Sequence, residues 1–344
     1  MRAIVIHAAR DLRIEDRADP GDPGPGQVRI AMAAGGVCGS DLHYFNHGGI
    51  GDTIRLREPM ILGHEVSGHV ESMGEGVDLA VGDLVAVSPS RPCGACAYCL
   101  RGQPNHCLKM RFYGSAMPFP HIQGAFRQTL IAEAAQCAPA GDLSPGEAAM
   151  AEPLAVCLHA VRQAGGLVGR SVLVTGCGPI GLLTILAARR AGADRIVATD
   201  LAAFPLEMAR AAGADEVLNM AEDRDALAPF AEGKGTMDVA FECSGAGPAL
   251  AGAIAVLRPG GTLVQLGLGG DMNVPMQVLT AKELSLRGSF RFHEEFHTGV
   301  SLMRKGLIDV APLITHTLPL DDALAAFEVA GDRSQAMKAQ IAFA

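Results

Sequence analysis

Several features that would point to other classes of protein are missing from this sequence. It has no tryptophan and only three tyrosines, so its absorbance at 280 nm is weak. No apolar run approaches the roughly 20 residues that a membrane-spanning helix needs. The apolar stretch at the N-terminus is too short for a signal peptide and is typical of a first strand. We therefore expect a cytoplasmic protein with no membrane partner.

A surplus of basic residues is also missing. The 28 lysines and arginines are outnumbered by 37 aspartates and glutamates, which gives a net charge of −9. Nucleic-acid binders usually present a basic surplus or stripe, so we expect no nucleic-acid partner. Apolar residues make up 49% of the chain, enough for a buried core and too many for wholesale disorder. The length of 344 residues favours two domains at roughly 100–200 residues each.

The pattern of the chain changes near residue 146. Before it, short β-patterned runs alternate with clusters of glycine and proline, which predicts a barrel-like all-β region. After it, β-branched runs alternate with alanine-rich helical segments, which predicts a doubly wound parallel sheet of the α/β class. The predicted strands of this second region are 171–175, 195–199, 216–218, 237–242 and 261–266, and its predicted helices are 179–191, 204–212 and 247–257. After about residue 290 the pattern becomes irregular again, with one amphipathic helix predicted at 320–329.

A complete GxGxxG pattern follows the first strand of the second region and opens a helix. In dinucleotide-binding folds the first glycine, here Gly176, makes a tight turn, and the second, Gly178, lets the backbone approach a pyrophosphate. The third, Gly181, allows the helix to pack closely on the strand. Pro179 and Ile180 fall in the first helical turn, whose free amides attract phosphate.

Asp200 ends the next predicted strand, nineteen residues after the last motif glycine. A carboxylate at this point accepts hydrogen bonds from an adenosine ribose and repels a 2′-phosphate, so NAD is favoured over NADP, which stays possible. A glycine-rich turn without a ligand, or a site for another nucleotide, is the alternative interpretation.

Nine cysteines in a chain without an export signal favour metal binding over a disulfide framework. Four of them lie within fifteen residues: Cys93, Cys96, Cys99 and Cys107. Four soft thiolates with no open position describe a closed, structural zinc site. Four unliganded thiols are the alternative.

A second candidate metal site is dispersed along the chain. Cys38, His64 with Glu65, and Glu152 supply a thiolate, an imidazole and carboxylates. Three such ligands can hold zinc and leave a fourth position open, which lowers the pKa of bound water or alcohol towards about 7. Spacing alone does not single these residues out, since each by itself is more often a packed core residue.

Taken together, the motifs resemble a known family. The stretches that carry the resemblance are GGVCGSDLHY at 35–44, PMILGHEVSGHV at 59–70, the four-cysteine loop, AEPLAVCLHA at 151–160 and the GxGxxG pattern. The chain resembles the zinc-dependent medium-chain alcohol dehydrogenases, in their sorbitol (polyol) dehydrogenase branch, from about residue 2 to 343. The resemblance implies a GroES-like β-barrel catalytic domain at 1–146, a Rossmann NAD-binding domain at 147–288 and a return segment at 289–344 that completes the catalytic domain.

The resemblance also implies an activity. It predicts an NAD(P)-dependent oxidoreductase with two zinc ions per chain, one catalytic and one structural, that oxidises a secondary hydroxyl group. A narrower match at 110–121 and 285–292 implies a sugar acid as substrate, with L-idonate and 5-keto-D-gluconate interconverted. A neutral polyol such as sorbitol or xylitol is the alternative. Members of this branch are commonly tetramers, so we expect a homotetramer, or a dimer, that pairs through the strand near 285–290.

Residue roles follow from the same resemblance. Cys38, His64 and Glu65 hold the catalytic zinc, and Glu152 competes with Glu65 for the third ligand place, directly or through water. Ser40 begins a proton relay that His43 continues. Tyr44, Glu152 and Arg291 contact the substrate, and Arg291 or Arg111 binds its carboxylate. The segments that line the nicotinamide are Leu266, Gly267 and Leu268, and Ser289, Phe290 and Arg291.

Two departures from the family pattern bear on these roles. Phe292 stands where sorbitol dehydrogenases often carry tyrosine, which removes a substrate hydrogen bond. Pro205 stands where the family often has arginine, near the adenosine site. Two further alternatives are a zinc-free reductase and a binding protein that uses the cysteine loop as an interaction module. The dispersed ligand set argues against both.

Overall fold

The two largest β-sheets of the fold lie in separate units of the chain. The computed structural model describes residues 1–343. We call the first unit, with Met1–Glu152, Phe296–Asp332 and the segment from Lys338 onward, the antiparallel unit. The second, with Pro153–Glu295 and Arg333–Met337, is the parallel-sheet unit.

These bounds differ from the predicted 146 and 289 because the chain changes unit inside two continuous helices, Ala151–Ala164 and Glu295–Arg304. A change of local pattern cannot mark a boundary that falls within one helix. Residues 333–337, which were expected in the return segment, belong to the parallel-sheet unit.

The antiparallel unit is built around a seven-stranded sheet. Its longest strand, Gln27–Gly36, alternates buried and half-buried residues, and this period of two puts Val28, Ile30 and Met32 in the core. The strand order is Cys137–Pro139, Leu84–Val87, Glu65–Met73, Gln27–Gly36, Lys338–Ala342 and Ile314–Pro319, with Thr129–Glu133 paired to Gln27–Gly36 as well. The remaining strands are Arg2–Ala8, Asp11–Asp16, Gly49–Ile50, Ile54–Arg55, Met60–Ile61, Ser90–Arg91 and Arg111–Phe112.

Short helices connect these strands. The α-helices are Gly39–His47, Ala97–Leu100, Pro145–Ala149 and Ala323–Gly331, and the 3₁₀ turns are Pro104–His106, Ala134–Gln136, Ala311–Leu313 and Leu320–Asp322. The single helix predicted at 320–329 is therefore wrong in its first turn, where a 3₁₀ turn precedes the α-helix. The helical pattern itself does not distinguish the two.

The parallel-sheet unit confirms the predicted doubly wound arrangement. Six parallel strands lie in the order Glu216–Asn219, Arg195–Asp200, Ser171–Thr175, Met237–Glu242, Leu257–Gln265 and Ser285–Gly288. The helices are Ala151–Ala164, Pro179–Arg190, Ala203–Ala211, Ala228–Ala231, Gly247–Val256 and Met276–Ala281, with a 3₁₀ turn at Glu232–Lys234. The strand order reverses beside Ser171–Thr175, and ligands of such sheets bind at the carboxyl ends of the strands at this point.

One strand of this unit begins earlier than predicted. Leu257–Gln265 includes a Pro-Gly-Gly stretch that has the composition of a turn, which is why the prediction began at 261. The structure accommodates it with a register shift between the pairs Met237↔Leu257 and Val239↔Thr262. In the described part of the chain, no helix combines the length and the apolar character that a membrane crossing requires.

Candidate active site

Strand register brings the dispersed ligand candidates together. Gln27–Gly36 pairs antiparallel with Glu65–Met73 so that Gly36 lies opposite Glu65. Cys38 follows two residues later, at the N-terminal boundary of the helix Gly39–His47. The ends of the two strands therefore place Cys38 beside His64 and Glu65.

The three side chains gather their donor atoms in one small volume. The Cys38 sulfur, a ring nitrogen of His64 and a carboxylate oxygen of Glu65 all lie within 4.8 Å of one another. A sulfur, a nitrogen and an oxygen donor form the kind of mixed set that zinc accepts in sites with an open position. Glu152 is outside this group, although it is buried and interacts electrostatically with all three.

Asp41 fixes the orientation of His64. Its carboxylate is fully buried and accepts hydrogen bonds from the amides of Cys38 at 3.1 Å and Gly63 at 3.3 Å. One of its oxygens lies 3.6 Å from Nδ1 of His64, while Ser40 Oγ lies 3.4 Å from Nε2. With Nδ1 turned towards a carboxylate, Nε2 is left as the nitrogen that can bind a metal.

Glu65 has a second, unexpected partner. The Lys338 ammonium donates to both carboxylate oxygens, at 2.9 and 2.7 Å, and both side chains are almost completely buried. The pairing of Gln340 with Gly36 in adjacent strands brings Lys338 to this place. Burial alone would lower the pKa of Lys338, but the Glu65 carboxylate raises it above its usual value, so the side chain is a cation.

Burial shifts the pKa values of the ionisable groups around this cluster. Burial raises the pKa of the Cys38 thiol to about 12 and that of Glu152 to about 8, and the neighbouring Glu65 carboxylate adds to both shifts. Burial alone would lower the pKa of His64, but the carboxylates of Asp41, Glu152 and Glu65 together raise it. With these pKa values the Cys38 thiol and the Glu152 carboxyl group hold their protons near pH 7. A divalent cation bound here would displace the proton of the ligating thiol. The donor set fits zinc.

The four clustered cysteines also meet. The sulfurs of Cys93, Cys96, Cys99 and Cys107 all lie within 4.8 Å of one another. The amides of Cys93 and Lys109 donate to the Cys107 sulfur at 3.2 and 3.3 Å. The hydrogen bond from the Cys99 amide lowers the pKa of Cys96 to about 6, which favours a thiolate. Four sulfurs in this arrangement fit a closed tetrahedral zinc site.

The GxGxxG turn has the geometry that a dinucleotide needs. Gly176 has φ of 84°, and a Cβ on Gly181 would lie 1.8 Å from the Gly176 carbonyl oxygen. At Gly178, by contrast, a Cβ would meet nothing within 4 Å. This open space stands at the start of the helix Pro179–Arg190, where unpaired amides and the helix dipole attract an anion. The residues fit a bound pyrophosphate.

Asp200 lies beside this turn, and its carboxylate already accepts four hydrogen bonds. Its Oδ2 accepts hydrogen bonds from the Cys177 amide at 2.7 Å and from Arg333 Nη2 at 3.0 Å. Its Oδ1 accepts from the amides of Leu201 and Ala202 at 2.7 and 3.1 Å. Pro205, the departure noted in the sequence, lies buried in the helix Ala203–Ala211.

A buried carboxylate holds the loops at the carboxyl edge of the parallel sheet. Glu242 accepts hydrogen bonds from Ser244, from the Gly245 amide at 2.9 Å and from Gln265 Nε2 at 2.6 Å. A Cβ on Gly267 would lie 2.1 Å from the Gly245 nitrogen, so the two loops touch backbone to backbone. Glu242 thereby positions the predicted nicotinamide segment that begins at Leu266.

The residues predicted to line the nicotinamide or contact the substrate in the parallel-sheet unit differ in their exposure to solvent. Leu268 and Phe290 are exposed, and Leu266 and Ser289 are partly buried. Arg291 has φ of 55° and places its guanidinium 4.9 Å from the centre of the Phe290 ring. Phe292 is buried.

In the antiparallel unit, His43 and Arg111 are exposed. Tyr44 is buried in the core, and its hydroxyl accepts a hydrogen bond from the Ala116 amide at 3.0 Å.

Four residues that contact the predicted site were not predicted from the sequence: Asp41, Glu242, Arg333 and Lys338. Asp41 lies inside the motif that contains Cys38, so the rule that zinc-ligating histidines are oriented by a carboxylate could have found it. Lys338 and Arg333 lie 273 and 133 residues from their partners, and no local pattern marks them.

Comparison with known families agrees with this geometry. Residues 24–142 match the alcohol dehydrogenase GroES-like domain, and residues 179–305 match the zinc-binding dehydrogenase family. Over 320 residues the chain is 42% identical to the L-idonate 5-dehydrogenase (NAD(P)(+)) of Escherichia coli K12, which covers 91% of each chain. It is 38% identical over 332 residues to the sorbitol dehydrogenase of Gallus gallus, covering 95% of this chain and 92% of that one.

A solved structure matches over nearly the whole chain. The crystal structure of L-idonate 5-dehydrogenase from Escherichia coli K-12 superposes with a TM-score of 0.94 at 39% sequence identity. The match covers 99% of this chain and 98% of the other.

Proposed function

This chain belongs to the zinc-dependent medium-chain alcohol dehydrogenases, in their polyol dehydrogenase branch, and we propose that it oxidises L-idonate to 5-keto-D-gluconate with NAD⁺ as the preferred acceptor. The observation that carries the proposal is the gathering of the Cys38, His64 and Glu65 donor atoms within 4.8 Å. The name and the 42% identity of the Escherichia coli relative support the sugar acid as substrate and leave NADP⁺ as a possible second acceptor.

In this proposal Cys38, His64 and Glu65 hold a catalytic zinc ion, and the four-cysteine cluster holds a structural one. Bound zinc would supply Lewis-acid stabilisation of negative charge on oxygen, and NAD⁺ would supply the hydride acceptor. Asp41 holds His64 in the orientation that the metal requires. Glu152 stays near the metal as a carboxylate that orders water rather than as a direct ligand, since its oxygens lie outside the ligand group.

The proton from the reacting hydroxyl leaves through Ser40. Ser40 and His43 are three residues apart on the helix Gly39–His47, so they are neighbours on one face. His43 is exposed and delivers the proton to solvent. The substrate loses a hydride from carbon and this proton from oxygen, its C–OH becomes C=O, and NAD⁺ becomes NADH.

Recognition of the substrate uses a cation. L-idonate carries a carboxylate remote from its C5 hydroxyl, and a guanidinium binds a carboxylate through two parallel hydrogen bonds. We assign this role to Arg291, whose backbone lies in the left-handed region at φ of 55°, with Arg111 as the alternative. Leu266, Gly267, Leu268, Ser289 and Phe290 line the nicotinamide, and Tyr44 supports the substrate site from the core.

We place the enzyme in the cytoplasm, where the thiols of the four-cysteine cluster stay reduced and able to bind zinc, and we propose that it is a homotetramer or dimer. Size-exclusion chromatography with light scattering tests the assembly.

The activity is tested by initial rates of NADH formation at 340 nm with L-idonate, D-sorbitol, xylitol and D-gluconate in parallel. We expect kcat/KM for L-idonate to exceed the others and to fall in Arg291→Ala, while the rate with sorbitol changes little. Arg258→Ala, an exposed arginine of the same unit that pairs with Asp238, is the control. A preference for sorbitol or xylitol would contradict the sugar-acid assignment and favour a neutral polyol dehydrogenase. Equal loss with both substrates would contradict the role of Arg291.

A further inference from the structure

We infer that Arg333 is the residue that lets this enzyme accept a 2′-phosphate, and hence NADP⁺, at a ribose site whose carboxylate otherwise selects NAD⁺. The inference rests on the proposed function, because it concerns the acceptor of that same reaction. It assigns a specificity-determining role to a residue that the GxGxxG motif and its acidic partner do not include.

The hydrogen bonds of Asp200 leave no position for a ribose. An ionised carboxylate offers about four lone-pair positions. In the structure all four are used, by the amides of Cys177, Leu201 and Ala202 and by the Arg333 guanidinium. A ribose diol can donate to Asp200 only after one of these four donors leaves.

Arg333 is the donor that can leave. The three amides are fixed by the backbone at the ends of the strands Ser171–Thr175 and Arg195–Asp200. The Arg333 side chain is 62% exposed, whereas that of Asp200 is only 5% exposed. A long, exposed side chain can rotate away at small cost, so NAD⁺ binding exchanges the guanidinium for the ribose hydroxyls.

A 2′-phosphate changes this exchange. Asp200 repels the phosphate, but Arg333 lies 3.0 Å from Asp200 and needs only a small rotation to reach a group on the ribose. Its planar guanidinium can donate two parallel hydrogen bonds to phosphate oxygens. Within residues 1–343, Arg333 is also the only cation in ion-pair contact with Asp200, so it neutralises the charge that would exclude NADP⁺.

Asp200 and Arg333 together therefore set the preference between NAD⁺ and NADP⁺. NAD⁺ gains the hydrogen bonds of Asp200 and loses the ion pair with Arg333. NADP⁺ gains the hydrogen bonds of Arg333. Removing the arginine should therefore weaken NADP⁺ binding selectively and leave NAD⁺ binding unchanged or slightly stronger.

The test measures binding rather than turnover. Isothermal titration calorimetry compares adenosine 2′,5′-bisphosphate with ADP, and NADP⁺ with NAD⁺, on the wild type, Arg333→Gln and Arg333→Lys. Charge-assisted hydrogen bonds of this kind correspond to a change of roughly 10–100-fold in affinity. We expect Arg333→Gln to raise the Kd of the two 2′-phosphorylated ligands by that factor and to change the Kd of ADP and NAD⁺ less than threefold. Arg333→Lys should fall between the two.

Arg190→Gln is the matched control. It removes one exposed positive charge from the same unit, at the far end of the helix that follows the GxGxxG turn. If it weakens 2′-phosphate binding as much as Arg333→Gln does, the effect is general electrostatics and the inference fails. An equal loss for ADP and the bisphosphate in Arg333→Gln would show a structural role only, which also overturns it.

Failure of the proposed function would look different. A wild-type protein that binds ADP and NAD⁺ but not the 2′-phosphorylated ligands overturns the role of Arg333 and leaves the NAD-dependent activity intact. A wild-type protein that binds none of the four ligands contradicts the nucleotide site itself.

Discussion

Replacing Lys338 by methionine should destabilise the protein and, at the same time, raise its affinity for zinc. Lys338 donates to both oxygens of Glu65, and neither side chain is more than 2% exposed. Removing one partner of a buried ion pair leaves the other charge without compensation, which typically costs about 3–5 kcal/mol.

Bound zinc should restore part of the lost stability, because its positive charge compensates the Glu65 carboxylate. The substitution should therefore lower the free energy of unfolding more in the zinc-depleted protein than in the zinc-loaded one. By linkage, the difference between these two losses equals the gain in zinc-binding free energy. If zinc recovers half of a loss of about 3 kcal/mol, the affinity for zinc rises roughly tenfold, since about 1.4 kcal/mol is a factor of ten. Lys338 therefore competes with the metal for Glu65.

The assay is urea unfolding of Lys338→Met and wild type, each depleted of zinc and reloaded, with zinc affinity measured by competition against a chromophoric chelator. Lys305→Met, which removes an exposed lysine of the same unit, is the control. The reasoning is refuted if Lys338→Met unfolds at the same urea concentration as the control in the zinc-depleted state. It is also refuted if the variant binds zinc more weakly than the wild type.

Three other predictions follow from particular contacts. Gly178→Ala should fold like the wild type yet lose NAD⁺ affinity in calorimetry, because its Cβ enters open space at the phosphate site, whereas Gly181→Ala should be strongly destabilised. Asp41→Asn should weaken zinc binding by roughly 10–100-fold in chelator competition with little change in circular dichroism. Glu295→Gln should lose about 1–2 kcal/mol of stability at pH 7. Burial alone would raise the pKa of Glu295, but the hydrogen bonds from His159 and from backbone amides lower it to about 2, so the ionised carboxylate stabilises the folded protein. That stabilisation is complete above the unfolded pKa of about 4.3 and is lost as pH falls towards 2, so the difference in urea midpoint between variant and wild type should shrink between pH 5 and pH 3.

The parts of the fold that depend on local pattern could be predicted from the sequence. The strands Ser171–Thr175 and Met237–Glu242 were predicted to the residue, because short runs rich in apolar residues and bounded by turns are typical of buried parallel strands. The cysteine cluster was predicted as one metal site because its four ligands lie close together in the chain. The structure brings the four sulfurs together.

What could not be predicted depends on contacts between distant segments. The pairing of Gly36 with Glu65 across two strands places Glu65, and not Glu152, in the group with Cys38 and His64. The lysine that holds Glu65 arrives from a strand near the C-terminus, and Arg333 reaches Asp200 from the segment before that strand. The sequence of each segment alone carries no sign of these contacts, because the partner lies elsewhere.

The metal content of wild type and Cys38→Ser tests the central claim most directly. We predict two zinc ions per chain in the wild type and one in Cys38→Ser by inductively coupled plasma mass spectrometry, since the four-cysteine cluster is unchanged in the variant. A wild-type protein with one zinc ion, whose content Cys38→Ser does not alter, would contradict the assignment of Cys38, His64 and Glu65 as a metal site.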